Sequence, residues 1–422
     1  MGGGEMKKIP LKELATITAG QSAPKPELFS KEGFPFVRAG SLEELIAGKK
    51  ESDLELISID IAEALRLRLY PAGSILFAKS GMSATKNRFY QLKTPAYVVS
   101  HLAILIPKDC LFVDYIRHVL IKYPPSSLIK DLAYPAISLG DIQDFKVPVP
   151  DDSDDQIRIA TLLSKVENLI SRRREQLKQL DELLKSVFLE MFGDPVRNEK
   201  RWEKKKIIEF ACVKIGPFGS LLHVSDYISN GIPLINPSHI VKGEIRPDSS
   251  LTITSTMFNE LTSYHLSEND IVVARRGEIG RCALVRDSAK LLCGTGSMFI
   301  RIESGYVPDF LQFQIFRTSL KDLLLSKSKG VTMQNLNSTT LETLHVIFPP
   351  LDLQKQFAAI IHKVENIKSS YQQSLDELKF LYGTLSQKAF KGELDLSLVR
   401  LVEEGESLTR ITSESSNSES SY

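Results

Sequence analysis

Lys165-Val166-Glu167-Asn168 returns late in the chain as Lys363-Val364-Glu365-Asn366. Each copy sits inside a run whose apolar residues are spaced alternately by four and three. The first series is Ile159, Leu163, Val166, Ile170, Arg173, Leu177, Leu180, Leu184, Val187 and Met191. The second is Phe357, Ile361, Val364, Lys368, Tyr371, Leu375, Leu378, Tyr382, Leu385 and Ala389. A period of 3.5 sustained this long predicts a coiled-coil seam, whereas a helix packed only on its own domain shows a wider stripe drifting at 3.6. Arg173 and Lys368 interrupt the seam. They either fix its register or lay their stems along the groove with their charges in water.

The repeat extends outward. Glu13-Leu14-Ala15 with Ile17 and Gly20 returns as Glu209-Phe210-Ala211 with Val213 and Gly216. Ser74-Ile75-Leu76-Phe77-Ala78-Lys79-Ser80-Gly81 returns as Asp270-Ile271-Val272-Val273-Ala274-Arg275-Arg276-Gly277. The predicted fold is therefore mixed α/β, with two pseudo-two-fold-related globular domains separated by two long helices. Short β-branched runs (Phe36-Val37, Ser74–Ala78, Ala103–Ile106, Leu234-Ile235, Asp270–Ala274, Met298–Ile302) read as strands. Phe112–Lys122 and Val307–Leu325 read as short helices, each with an aspartate near its start.

Prolines 148 and 150, then 349 and 350, close the globular halves. Ser153 with Gln156 fits a capping box, and Asp352 fits a cap of the second helix. Gly193 with Pro195, and Gly392, end the helices. The expected boundaries are 1–150 and 193–350 for the globular domains and 151–192 and 351–392 for the helices. Residues 393–422 are expected to be a disordered, Ser- and Glu-rich tail. Each helix spans about 60 Å. The chain crosses the second half between the helices, so they are expected to pair antiparallel as a coiled-coil rod between two heads.

A chain of 422 residues suits two or three domains, and its 42% hydrophobic and 25% charged content is that of a soluble globular protein. No apolar run is long enough for a membrane span, and Met1–Glu5 lacks an apolar signal region, so a cytoplasmic protein is expected. Met6 is an alternative start, with the residues before it a vector remnant. Cys110, Cys212, Cys282 and Cys293 form no C-x-x-C pair, which argues against zinc and for reduced thiols. The net charge of +1 hides an asymmetry, because each globular half carries +3 and the tail −5. That balance permits DNA binding without demanding it.

The sequence holds no Walker A loop, nucleotide-binding glycine fingerprint, G-x-S-x-G elbow or H-E-x-x-H. Asn236-Pro237-Ser238-His239 is only partly similar to the Asn-Pro-Pro-aromatic motif of amino-methyltransferases and reads as a loop. His223 and His239 have no histidine counterparts in the other half. What recurs is a basic loop after the same strand: Lys79-Ser80-Gly81 leading to Lys86-Asn87-Arg88, and Arg275-Arg276-Gly277 leading to Arg281. Arginine forks suit phosphate and guanine, and a glycine lets backbone approach closely. Lys214–Ser220 and Lys327–Asn335 are further loops carrying cations and amides. Read blandly, all of these are solvated surface.

The residues resemble a known family. Phe192-Gly193-Asp194-Pro195, Phe390-Lys391-Gly392-Glu393-Leu394, Gly216-Pro217-Phe218-Gly219-Ser220, Gly231 with Pro233-Leu234-Ile235-Asn236, and Asp270 through Gly280 resemble the DNA specificity subunit of type I restriction–modification systems. The resemblance covers nearly all of residues 7–394. It implies a non-catalytic chain in which each half reads one part of a split, asymmetric double-stranded DNA site. It also implies helices that set the spacing and dock two methyltransferase subunits, which bind S-adenosylmethionine and methylate adenine. Restriction subunits using ATP and Mg2+ complete such a system, and this chain is expected to hold no cofactor or metal. The implied DNA contacts are Arg38, Lys79, Ser80, Lys86, Asn87, Arg88, Lys214, Ser220, Asn236, Ser238, Arg275, Arg276, Lys327, Lys329, Gln334 and Asn335. Two other classes are a scaffold bridging two proteins without nucleic acid, which salt-dependent DNA binding separates, and a self-contained DNA enzyme, which methyl transfer or cutting by the isolated chain would establish.

Overall fold

A computed structural model describes residues 6–109, 113–241, 243–277, 280–287, 290–326, 335–397 and 399; for Ser220 and Val224 it describes the backbone alone. Two units emerge. Unit 1 takes the chain up to Arg173 and again from Ser374 onward, and unit 2 is Arg174–Gln373.

In unit 1, β1 (Ala15–Ala19), β2 (Ile75–Ala78), β3 (Phe89–Gln91) and β4 (Leu102–Pro107) form an antiparallel sheet in the order β1-β4-β2-β3. In unit 2, β5 (Ala211–Ile215), β6 (Ile271–Ala274), β7 (Cys282–Leu284) and β8 (Ser297–Ile302) repeat it as β5-β8-β6-β7. The register repeats too. Ile75 lies between Leu105 and Gln91, and Ile271 lies between Ile300 and Leu284. A second small sheet recurs in each unit. Phe34–Val37 pairs antiparallel with Leu56–Ile57 and parallel with Tyr97–Val98, as Ile232–Ile235 does with Thr252–Ile253 and Leu291–Cys293.

The central strands are buried on both faces, which is why they read as unbroken apolar runs. Strand alternation sends Ile75 and Phe77 into one core and Leu76 and Ala78 into another. Ile271 and Val273 part from Val272 and Ala274 in the same way. The first core of each unit is closed by helices: α1 (Val113–Lys122) and part of α2 (Ser153–Phe192) in unit 1, α3 (Pro308–Arg317) and part of α4 (Leu351–Phe390) in unit 2.

The helix entries differ from the sequence reading. Ser153 is the first helical residue, and the Asp152 carboxylate takes the Asp154 N–H at 2.9 Å. The Gln156 amide donates to the Pro150 carbonyl at 3.3 Å, and Gln354 donates to Pro349 at 2.8 Å. Both glutamines are buried, so they satisfy buried carbonyls of the incoming segment instead of closing a capping box. Asp352 lies inside the first turn of α4, not at its cap. Gly193 (φ +74°) and Gly392 (φ +71°) follow the two helices in the left-handed region that ends helices.

Of the seam positions, Ile159, Leu163, Val166, Ile170, Leu184, Phe357, Ile361, Val364 and Leu375 are buried. Leu177, Leu180, Val187, Tyr371, Leu378, Tyr382 and Leu385 are half-buried. Two of the largest fully buried side chains, Phe188 and Phe192, lie outside the seam. With Leu184 they form a four-residue step that turns toward Phe310, Phe313 and Phe357 of unit 2, where ring centroids stand 4.8–5.8 Å apart. Within unit 2, Phe188 meets Phe357 while Asp181 meets Lys368, so the two helical segments run antiparallel there. Within unit 1, Ile159 and Leu163 share a core with Ala389 and Phe390. The Lys368 ammonium is ion-paired to Asp181 (3.0 Å) and Glu365 (3.1 Å) rather than left in water.

Candidate nucleic-acid interface

Both basic loops leave the central strand in the same way. After β2, the Lys79 N–H donates to the His101 carbonyl, the Ile137 N–H donates to that of Lys79, and the Gly81 N–H donates to that of Pro135, at 2.8–2.9 Å. Ser80 forms an antiparallel bridge with Ala136. After β6, the Arg275 N–H donates to the Gly296 carbonyl (3.1 Å), the Leu336 N–H donates to that of Arg275 (2.9 Å), and Arg276 bridges Asn335. Gly81 (φ +72°) and Gly277 (φ +76°) then turn the chain in a conformation that side chains resist. At the neighbouring strand end, a Cβ on Gly20 would lie 2.1 Å from the Val98 carbonyl oxygen, and one on Gly216 2.1 Å from that of Gly294. Glycine is required at both positions by close backbone approach.

The structure thus brings Lys79 and Ser80 beside 134–136, and Arg275 and Arg276 beside Asn335. Ser80 Oγ shares a 2.9 Å hydrogen bond with His101 Nδ1. Arg276 is exposed, whereas Arg275 is half-buried with a buried Nε that lacks a protein partner. Burial, and then the Arg276 charge, lower the pKa of Arg275 below the ordinary guanidinium value. The Asn335 Oδ1 is likewise buried without a partner.

Other candidates are differently placed. Arg38 is tied to Glu55 at 2.6 Å and stacks over Phe29 and Phe36, and Arg88 is tied to Glu43 at 2.7 Å. Asn236 turns its Oδ1 inward to the Gly296 N–H, at 3.4 Å. Lys86, Asn87, Lys214 and Ser238 are exposed. The backbone of Ser220 lies in a short helical turn, Gly219–Leu221. Lys327, Lys329 and Gln334 lie outside the described residues, as does most of the proposed tail. His101 and Tyr134 also stand at this loop, and neither is a cation in the sequence pattern. The second had a signal, since Ala136 bridges Ser80 as Asn335 bridges Arg276.

Among the described residues, no group of three or more His, Cys, Asp or Glu is placed to hold a metal ion. No described helix is long and apolar enough to cross a membrane. A cleft of about 1080 Å³ in unit 2 mixes Lys185, Arg281, Arg317 and Lys321 with Asp181, Asp194 and Asp322. On its wall, burial pushes the Cys282 thiol up to about 12, so it is not a thiolate nucleophile.

A family model described as the type I restriction modification DNA specificity domain matches residues 4–180 and 199–379. The chain belongs to that family. A specificity subunit of the type I restriction enzyme MjaIX from Methanocaldococcus jannaschii is 23% identical over 350 residues, covering 78% of this chain and 79% of the relative. The EcoBI specificity subunit of Escherichia coli is 22% identical over 421 residues, covering 92% and 86%. The solved type I S subunit from M. genitalium superposes with a TM-score of 0.52 at 14% identity, covering 92% and 96%, which shows a shared fold. As a type I specificity subunit, this chain serves DNA target recognition.

Within such a subunit the two arginines should part in behaviour. Arg276→Ala is expected to cost about 1–3 kcal/mol and relax one position of a half-site, as a base-reading guanidinium would. Arg275→Ala is expected to change specificity less, because its side chain is half withdrawn. Binding of the reconstituted complex to specific and scrambled duplexes at several salt concentrations checks this. Unchanged affinity, specificity and salt slope for Arg276→Ala would remove this loop from the DNA face.

Proposed function

We propose that each globular half, 1–150 and 193–350, reads one part of a bipartite, asymmetric DNA site. Helices α2 and α4 pair as an antiparallel coiled coil that sets the distance between the parts and docks two modification subunits. This chain contributes no catalytic group. S-adenosylmethionine and adenine methylation belong to the modification subunits, and ATP and Mg2+ belong to restriction subunits that join them in the cytoplasm. The observation that carries this reading is the repeat itself: one sheet and one register built twice, with Lys79-Ser80 at the loop where the second copy has Arg275-Arg276. A shared scaffold with different side chains at the same place suits two different half-sites.

The test is binding by the chain assembled with its modification subunits. A specific duplex is expected to bind at least about a thousandfold more tightly than scrambled sequence, and affinity for both to fall steeply with salt through release of phosphate counterions. Salt-independent binding, or equal affinity for both duplexes, would sink the proposal and favour a protein-bridging scaffold.

A further inference from the structure

We infer that Tyr134 is an apolar reading element of unit 1 that contacts the 5-methyl group of a thymine. The inference rests on the DNA-reading role proposed above. Beside the bridge between Ser80 and Ala136, the Gly81 N–H donates to the Pro135 carbonyl at 2.8 Å, with Met82 following Gly81 in a short helical turn and Tyr134 preceding Pro135. Tyr134 is 83% exposed, Leu132 74% and Met82 64%, more than any other large apolar side chain described between residues 6 and 150. A single exposed apolar residue needs no explanation, but three large ones in two segments joined by one bridge do. The loop is also shaped: the Asp131 carboxylate takes the Ala133 N–H at 2.8 Å, a turn just before Tyr134.

Charge selects the occupant. Lys79 stands beside the same bridge, and the exposed Lys86 and Lys130 lie at the ends of the two segments, with Asp131 as the opposing charge. Cations around an apolar tip suit a polyanion with apolar features inside its groove. In the major groove, the thymine methyl is the apolar mark that distinguishes one base edge from the others. The bridge is also the counterpart of the one between Arg276 and Asn335 in unit 2. Unit 1 would then read by apolar contact what unit 2 reads through a guanidinium.

The experiment uses the full chain assembled with its modification subunits, after the site is mapped from methylated adenines. Each thymine of the half-site read by unit 1 is replaced in turn by uracil, which removes only the methyl group. One replacement is expected to weaken the unaltered complex about threefold to fivefold, the worth of one buried methyl group, while leaving Tyr134→Ala unaffected. Tyr134→Phe should behave as the unaltered protein, and no variant should change the salt slope or the other half-site. The inference fails if every uracil is neutral, if uracil costs the alanine variant as much, or if Tyr134→Ala weakens all sequences alike. Specific binding by the unaltered complex separates these failures from failure of the DNA-reading role itself.

Discussion

Acidification is expected to weaken unit 1 through one buried imidazole. His118 on α1 is fully buried, with Nδ1 2.9 Å from the Tyr382 hydroxyl on α4 and Nε2 2.9 Å from Ser164 Oγ on α2. Burial first, and the Arg117 charge second, lower its pKa from 6.5 to about 3. Arg117 cannot move aside freely, because Glu167 holds it at 2.6 Å and Asp114 at 3.6 Å. The folded chain therefore keeps His118 neutral while the unfolded chain takes a proton near pH 6.5. A depressed folded-state pKa gives stability that is complete above 6.5 and is lost as pH falls toward 3. Across that window the loss is about 5 kcal/mol, at up to about 1.4 kcal/mol per pH unit. Urea unfolding of the unaltered chain and of His118→Gln at several values between pH 7.5 and 4 measures it. Carboxylates that titrate in both proteins move both curves, so the difference isolates the imidazole. The variant should be the less stable at pH 7.5, and the gap should close as pH falls; parallel curves would show that His118 does not titrate with unfolding.

The same network shows where sequence reading stopped. His118 was visible as a residue, but its partners stand 46 and 264 positions away. No local pattern announces such a contact. The long helices were legible because a 3.5 period repeats many times, and the central strands because four apolar residues in a row suit a doubly buried strand. Phe188 and Phe192 were not assigned, since one helix cannot reveal where its stripe leaves a partner helix for a domain core. The parallel pairing of Phe34–Val37 with Tyr97–Val98 is equally non-local. At the candidate interface, composition located the cations but not their partners. Arg38 and Arg88 looked like Lys79 until Glu55 and Glu43 were placed beside them. Asn236 was among the implied DNA contacts, yet its Oδ1 faces inward and accepts from the Gly296 N–H.

Exchanging residues 8–150 for the matching domain of another specificity subunit is expected to change one half of the recognised site completely and leave the other intact. The segment begins and ends in one two-stranded ribbon, where Met6 lies opposite Pro150 and Pro10 opposite Lys146. Its entry and exit are therefore adjacent, as insertion of a folding unit requires. Lys204–Lys206 and His345–Ile347 frame the second half in the same way. Loop residues at Lys79, Ser80 and 132–136 travel with the segment, whereas Arg275, Arg276 and Asn335 remain. The exchange has one structural demand. Tyr115, Ile116 and Val119 pack into a core shared with Ile159, Leu163, Ala389 and Phe390, so the donor must present apolar residues of similar volume there. A donor that fails this condition gives an unstable chain, which thermal unfolding detects separately from specificity. For a stable exchange, methylated adenines mapped in DNA from cells carrying the complete system should show a new half-site joined to the old one. Each wrong base pair in the replaced half costs about 1–3 kcal/mol, so several together abolish recognition of the original site. A change in both halves would mean that the two domains read the DNA jointly, and that the repeat records ancestry without a division of labour.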